Sequence, residues 1–211
     1  ERDYIAVMAA RYSPDPTADR AALARKYADG MRALSQKYPD DLDAATLYAE
    51  SLMNLRPWKL WSLDGKPASR TEEIVAVLES VLSRDVHHPG ACHLYVHATE
   101  STVDPGRAQT CAEFLGQSIP GASHINHMPS HTWNEVGRWG DSVRANLEAW
   151  HSDLKADEGE GFAIYPDHNL HMLLYAASMD GQGGIATQAG KEDRKSTRLN
   201  SSHVALSRMP S

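Results

Sequence analysis

Histidines recur along this chain at the spacing that places side chains on one face of a helix. Eight of the eleven histidines lie between His93 and His171. Residues three or four apart share a face of an α-helix, so each run predicts a stripe of imidazoles. Neutral imidazole is a ligand for zinc, copper and iron, and a nearby carboxylate can complete the coordination. The runs are His93 and His97 with Glu100, His124 with His127 and His131, and His168 with His171.

These histidines are open to three interpretations. The first is a transition-metal site (zinc, copper or iron), in which a pair at i and i+4 shares one ion and a neighbouring helix supplies further ligands. The second is a polar groove that binds a peptide or a small molecule. The third is a set of unconnected histidines. The metal hypothesis uses His93, His97, Glu100, His127 and His131.

Other chemistry is weakly represented in the sequence. His87 and His88 stand beside the break at Pro89 and are interpreted as a loop pair. His151 lies near a helix end, where a cation favours the helix dipole, and is interpreted as structural. The sequence contains no nucleophile elbow, phosphate loop or dinucleotide-binding motif. We therefore predict a binding protein rather than an enzyme and assign no catalytic residue.

Charge and composition narrow the classes of partner. The net charge of −7 argues against a nucleic-acid backbone as partner. No apolar run reaches transmembrane length, so no membrane span is expected in this sequence. The sequence starts at Glu1 within what reads as a helix, and we expect a fragment truncated at its N-terminus. The compartment is therefore left open, since a signal peptide cannot be judged.

The last residues differ in composition from the rest. The segment 191–211 is rich in Ser and Arg and lacks apolar periodicity, and Gly181-Gln182-Gly183-Gly184 precedes it. The string from Asp193 to His203 resembles the translation of a common sequencing-adapter oligonucleotide. We expect residues 181–190 to be a flexible linker and residues 191–211 to be a non-native, disordered tail. His203 is left out of the histidine analysis for this reason.

Apolar periodicity and helix-breaking residues predict a succession of helices without strands, which makes the fold class all-α. Loops are predicted at 56–70 and 155–165, where Pro and Gly interrupt the pattern. Pro129 is expected to kink or restart its helix. The predicted helices are 18–37, 42–55, 71–83, 89–102, 104–117, 120–136, 141–153 and 166–179.

The helices come in pairs that resemble one another. Pro89-Gly90-Ala91-Cys92-His93 and Pro120-Gly121-Ala122-Ser123-His124 match at four of five positions, 31 residues apart. The turn at Gly137-Arg138-Trp139 resembles the centre of a tetratricopeptide repeat (TPR), in which a glycine and an aromatic residue join two helices. The small, aromatic and leucine consensus positions of the repeat fall at Ala49, Ala108, Leu115, Trp133 and Ala149.

The resemblance covers roughly residues 18–180 and implies antiparallel helix-pair repeats stacked as a TPR-like α-solenoid over residues 1–180. In that family the first helix of each pair lines the concave face, with the second, fifth, ninth and twelfth residues of the repeat facing the groove. The resemblance thus implies a binding module for a peptide, a protein segment or a small ligand. The alternative is a metal-binding protein or metalloenzyme, with Glu50 or Glu100 as ligand or general base. The implied groove residues are Glu50, His93, His97, Glu100, His124, His127, His131, His168 and His171.

Overall fold

The structure, a computed structural model, describes residues 1–157 and 165–206. Over these ranges the regular structure is helical, apart from one isolated antiparallel bridge between Trp61 and Pro67. The predicted all-α class is therefore confirmed for the described residues. The chain divides into two compact units, Glu1–Ala108 and Gln109–Ser211.

In the first unit each helix packs against the one that follows it, and α3 also packs against α5. This is the contact pattern of helix pairs laid side by side. The predicted loop at 56–70 separates α3 from α4. The elements of this unit are α1 (Arg2–Ala9), α2 (Arg20–Lys37), α3 (Leu42–Met53), α4 (Thr71–Arg84), α5 (Pro89–Thr99) and a 3₁₀ helix (Pro105–Ala108).

Side-chain caps begin two helices of the first unit, α2 and α3. The Asp19 carboxylate accepts hydrogen bonds from the backbone N–H groups of Ala21 and Ala22, at 2.9 and 3.0 Å. The Asp41 carboxylate accepts from the N–H of Ala44 at 3.0 Å. Such caps satisfy donors that a helix leaves unpaired at its N-terminus. The helices α2, α3 and α4 bury apolar stripes that include Tyr27, Met31, Leu34, Leu52, Ile74, Leu78 and Val81.

A tyrosine–glutamate–arginine triad joins α3 to α4. The Tyr48 hydroxyl donates to Glu73 Oε1 at 2.5 Å, and Arg70 Nε donates to Glu73 Oε2 at 2.9 Å. Arg70 also donates to the Tyr48 hydroxyl oxygen at 2.7 Å, so every member of the triad contacts the other two. The hydrogen bond from Arg70 and its charge hold the pKa of Glu73 below its ordinary value. Glu73 is thus a carboxylate that accepts from both partners.

A second triad joins α4 to α5 and the 3₁₀ helix. The Tyr95 hydroxyl donates to Glu79 Oε1 at 2.8 Å, and Arg107 Nε donates to the Tyr95 hydroxyl oxygen at 2.9 Å. Arg107 also forms an ion pair with Glu79. Burial, followed by the hydrogen bond to Glu79, raises the pKa of Tyr95 to about 12. The phenol therefore remains a protonated donor across the neutral range.

The second unit continues the pattern of helices joined by short turns. Gly137 and Gly181 have φ values of +75° and +73°, a conformation that glycine adopts without a Cβ penalty. They form the turns before α9 and α11, as predicted for Gly137. The helices of this unit are α6 (Gln109–Ser118), α7 (Ser123–His127), α8 (Pro129–Glu135), α9 (Trp139–Asp157), α10 (Pro166–Met179) and α11 (Gly183–Leu206).

The helix predicted at 120–136 is two short helices, α7 and α8, that meet at Met128. Pro129 has no backbone N–H, so the helical hydrogen bond at this position cannot form. Met128 nevertheless has φ −50° and ψ −37°, which are helical values. The chain therefore restarts its helix at Pro129 without leaving the helical conformation, and His127 and His131 flank the restart.

The residues predicted as a linker and tail follow α10 in the chain. After the turn at Gly181, α11 begins at Gly183 and extends to Leu206. Ala186 and Ala189 are buried against α10, in a cluster with Leu173 and Ala176. Two consecutive glycines favour a flexible segment by propensity, but burial of the following apolar residues outweighs that preference here. The predicted loop at 155–165 falls mainly outside the described residues, and α9 continues to Asp157.

The consensus positions of the repeat are occupied by buried side chains. Ala49, Ala149 and Leu115 are fully buried, while Ala108 and Trp133 expose 1% and 4% of their surface. Small residues at such positions allow the helices of a pair to approach closely. Among the described residues, no helix combines the length and the apolar character that a bilayer crossing requires.

Candidate metal centre

The second unit brings three imidazoles together at the restart between α7 and α8. His127 ends α7, His131 lies in the first turn of α8, and His168 lies in the first turn of α10. One ring nitrogen from each lies within 4.8 Å of the other two. The Nε2 atoms of His127 and His131 are 2.9 Å apart. We call His127, His131 and His168 the imidazole cluster.

The spacing of the imidazole cluster is close to that of a metal site. In a tetrahedral zinc site with bonds of about 2.1 Å, ligand nitrogens lie about 3.4 Å apart. The separations of 2.9 Å and at most 4.8 Å lie on either side of this value. His131 and His168, the other two members of the imidazole cluster, are only partly buried. Three imidazoles are a donor set suited to zinc, copper and nickel rather than to magnesium or calcium.

His127 is the buried member of the imidazole cluster. Its side chain has no exposed surface, and its ring centroid lies 4.7 Å from that of His131 and 4.6 Å from that of His168. Burial, followed by the charge that His131 would carry, lowers the pKa of His127 well below its ordinary value of 6.5. His127 is therefore neutral at physiological pH, which is the form that coordinates a metal.

A polar network inside the unit supports the buried ring. His127 Nδ1 lies 2.7 Å from Asn146 Oδ1 and 3.2 Å from Ser130 Oγ. Asn146 is fully buried on α9, and its Nδ2 donates to the backbone oxygen of Ser142 at 2.9 Å. Metal-bound histidines commonly make such a hydrogen bond through the ring nitrogen that does not bind the ion. The network leaves the Nε2 side of His127 facing the rest of the imidazole cluster.

The other predicted residues of the second unit lie around the imidazole cluster or apart from it. The His124 ring stacks on His127 with centroids 5.8 Å apart and meets the Tyr165 ring at 5.9 Å. His171, whose side chain is 61% exposed, places Nε2 3.0 Å from Asp193 Oδ1 on α11. The stripe predicted for α10 therefore divides: His168 belongs to the imidazole cluster, and His171 is paired with a different helix.

The first unit holds the remaining predicted residues in two places. The His93 and His97 rings lie 5.2 Å apart, and His97 Nδ1 is 3.4 Å from Glu100 Oε1. Trp58, which is 84% exposed and has φ +61°, meets the His97 ring edge-on at 5.7 Å. This is an aromatic and polar surface at the end of α5.

The hydrogen bonds and ion pairs described for Glu50 are to residues other than the predicted histidines. On α3, its Oε1 accepts from Asn54 Nδ2 at 2.5 Å and pairs with Arg11 Nη1 at 3.5 Å. This carboxylate is engaged with a cation and an amide of its own unit. The five residues of the predicted metal set thus divide between the units, with His93, His97 and Glu100 in the first and His127 and His131 in the second.

Two residues of the candidate metal centre, His168 and Asn146, are absent from the metal set predicted from the sequence. His168 was predicted for the groove but not for the metal set, and Asn146 was not predicted at all. A signal for Asn146 exists: it falls on the same face of α9 as Val143 and Ala149, which are both buried. An amide on an apolar face is costly unless it is hydrogen-bonded, so it indicates a buried polar partner.

Comparisons with known proteins define the fold of the chain and leave its family open. No protein-family model and no curated protein sequence matches it. Two solved structures of MamA are similar in fold. The MamA RS-1 ArsTM double mutant superposes with a TM-score of 0.65 at 11% identity, over 87% of this chain and 90% of that one. MamA 41-end from Desulfovibrio magneticus RS-1 gives 0.63 at 11% identity, over 85% and 89%.

MamA has a TPR-like, all-helical fold, and the fold of this chain is therefore one of TPR-like helical repeats. The predicted class of antiparallel helix-pair repeats is confirmed. At 11% identity the likeness speaks to the fold alone. Function is therefore inferred from the residues of the site.

Proposed function

We propose that this chain is a TPR-like binding module whose second unit binds a divalent transition-metal ion through His127, His131 and His168. The observation that carries the proposal is the convergence of three ring nitrogens within 4.8 Å of one another. The neutral, buried state of His127 and its hydrogen bond to Asn146 support it. Three imidazoles leave at least one position of a tetrahedral ion for an exchangeable ligand.

Zinc titration of the 211-residue chain tests the proposal. The chain is stripped with a chelator and titrated with zinc by calorimetry, with magnesium as a comparison ion. We expect one ion per chain at this site, and no competition from magnesium because it prefers oxygen ligands. His131→Gln and His168→Gln each remove one ligand and should weaken zinc binding by at least about tenfold, or 1.4 kcal/mol.

Two matched substitutions control for histidines outside the imidazole cluster. His171→Gln removes an imidazole from the same helix as His168, and His203→Gln removes the one in the adapter-like segment. Both should leave the zinc affinity unchanged. Equal affinity in the wild type, His131→Gln and His168→Gln would contradict the proposal, as would a loss confined to His203→Gln.

A second candidate is a module that binds a peptide or protein segment without a metal. The TPR-like fold and exposed side chains on α10 favour it. In the register that makes His168 and His171 the second and fifth residues of a repeat, Tyr175 is the ninth, and it is 51% exposed. An exposed tyrosine supplies contact area at low entropic cost, which suits recognition.

Selection of peptides from a random displayed library on the chelator-treated chain tests this candidate. Peptides that use this face should lose at least about tenfold in affinity with Tyr175→Ala. Tyr38→Ala removes a 40% exposed tyrosine at the end of α2 and should leave the affinity unchanged. Failure to enrich any peptide, or equal affinity for both variants, counts against a peptide-binding face on α10.

A further inference from the structure

The side-chain amide of Asn146 has only one chemically consistent orientation. Its Nδ2 points at the backbone oxygen of Ser142 at 2.9 Å and at the Ser142 hydroxyl at 3.4 Å. A backbone oxygen can only accept, so the amide nitrogen must be the group that faces it. The opposite end of the amide, Oδ1, is therefore the atom 2.7 Å from His127 Nδ1. An amide oxygen has no proton to donate.

The orientation of Asn146 determines which nitrogen of His127 carries the proton. Because Oδ1 only accepts, the 2.7 Å hydrogen bond requires a proton on His127 Nδ1. In the neutral form of the ring, which is the form that coordinates a metal, Nε2 then has a bare lone pair. Ser130 Oγ, at 3.2 Å, cannot impose this choice because a hydroxyl both donates and accepts.

The Nε2 lone pair of His127 faces the other rings of the imidazole cluster. Nε2 of His127 is the atom 2.9 Å from Nε2 of His131. In the opposite tautomer this nitrogen would carry a proton, which would have to be removed before an ion could bind. A side chain that holds the proton on Nδ1 thus prepares the site before any ion arrives.

We propose that Asn146 is the positioning residue of this site: it holds His127 in the Nδ1–H tautomer and so presents Nε2 as a ligand to the metal ion. The role of Asn146 in metal binding rests on the proposed metal function. The tautomer of His127 is a property of the metal-free protein and does not depend on that function. Asn146 acts through His127 and does not contact the ion.

The tautomer is measured by long-range proton–nitrogen NMR of the ¹⁵N-labelled, chelator-treated chain, with His127 assigned from its missing signals in His127→Gln. We expect the Nδ1–H pattern in the wild type. Asn146→Ala should convert His127 to a mixture or to the Nε2–H pattern, and should weaken zinc binding by about 10- to 100-fold, the usual effect of losing an outer hydrogen-bond partner.

Two further variants separate positioning from general stability. Asn126→Ala removes another buried amide of the same unit, whose hydrogen bonds among the described residues are to the Gly116 backbone oxygen and the Ser152 hydroxyl. It should keep the Nδ1–H pattern and the zinc affinity even if it lowers stability. Asn146→Asp restores an acceptor beside Nδ1 and should recover both the pattern and the affinity relative to Asn146→Ala.

The outcomes distinguish the two proposals. A wild type that shows the Nδ1–H pattern but binds no zinc overturns the metal function and leaves the tautomer assignment standing. Zinc binding with an unchanged pattern and affinity in Asn146→Ala overturns the role of Asn146 and leaves the metal function standing. If Asn146→Ala does not fold, Asn146→Asp alone decides: an Nε2–H pattern in a variant that still offers an acceptor contradicts the inference.

Discussion

At the scale of single residues, the imidazole cluster places a polar side chain, His127, in a buried position that usually holds an apolar one. Burying an imidazole without a hydrogen bond is costly, and His127 is fully buried. Its hydrogen bond to Asn146, at 2.7 Å, offsets part of that cost. The Asn146 amide is itself satisfied by Ser142, so the cost is not passed to a second group. Such complete pairing is what allows a polar group to remain in a packed interior.

We predict that His127 makes the stability of the protein fall at acidic pH. Its pKa lies well below 6.5 in the folded chain and near 6.5 in the unfolded one. Above that pH both states are neutral and the group contributes nothing to the pH dependence. As the pH falls below 6.5, His127 becomes protonated in the unfolded chain but stays neutral in the folded one. The free energy of unfolding therefore decreases by up to about 1.4 kcal/mol per pH unit.

Urea unfolding of the chelator-treated chain, at about pH 7.5 and about pH 5.5, measures this effect. The wild type should lose roughly 1.4 kcal/mol more than His127→Gln between the two conditions. His171→Gln, which removes a 61% exposed imidazole, should lose as much as the wild type. The same loss in the wild type and in His127→Gln would show that His127 accepts a proton in the folded state.

The sequence predicted part of this site because helical spacing is a local property. His127 and His131 are four residues apart, and their nitrogens do meet, even across the restart at Pro129. His168 and Asn146 come from α10 and α9, so their approach depends on packing between helices, which spacing along one helix does not contain.

At the scale of helices, local signals were sufficient where proline and glycine mark the ends of a helix. α10 begins and ends at the predicted residues, Pro166 and Met179. The restart at Pro129 follows from the missing N–H of proline. α11 begins inside the segment predicted as a linker, and its apolar residues are buried against α10, which outweighs the glycines at its N-terminus.

His88 is a helix cap that the sequence presented as one of a loop pair. Its Nδ1 accepts a hydrogen bond from the N–H of Ala91 at 3.1 Å, at the N-terminus of α5. Its Nε2 lies 3.2 Å from Asp43 Oδ1, near the N-terminus of α3. Asn and Asp are the usual side chains at this position, and the ring nitrogen performs the same function here.

We predict that His88→Ala lowers the free energy of unfolding by about 1 kcal/mol, as expected for the loss of an N-cap. His88→Asn provides an equivalent acceptor and should recover most of the loss. Thermal or urea unfolding near neutral pH compares the two. His87→Ala, at the neighbouring exposed position, should remain close to the wild type, and a loss there equal to that of His88→Ala would refute a specific capping role.

At the scale of the whole molecule, the metal proposal has a thermodynamic consequence. An ion that binds the folded chain and not the unfolded one stabilises the fold by mass action. The ligands of the imidazole cluster come from α7, α8 and α10, which separate when the second unit unfolds. Ion binding and the folding of this unit should therefore be linked.

We predict that free zinc at about 100 times its Kd raises the free energy of unfolding by about 2.7 kcal/mol, with a matching rise in Tm. His168→Gln should reduce this rise sharply at the same zinc concentration, whereas His171→Gln should keep it. Magnesium should have no effect. Differential scanning calorimetry across a zinc series provides the measurement. Stabilisation of the same size in His168→Gln would place the ion elsewhere.

The two tyrosine–glutamate–arginine triads of α4 have a consequence for folding specificity. Apolar stripes on repeated helices are interchangeable, so burial alone discriminates poorly between correct and shifted neighbours. Glu73 and Glu79 each accept a hydrogen bond from a phenolic hydroxyl on a different helix, Tyr48 on α3 and Tyr95 on α5. A misordered packing would leave these carboxylates and phenols without their partners, which is costly where they are partly buried. The triads therefore favour the packing of α4 between α3 and α5 over shifted arrangements, a specificity that uniform apolar repeats would lack.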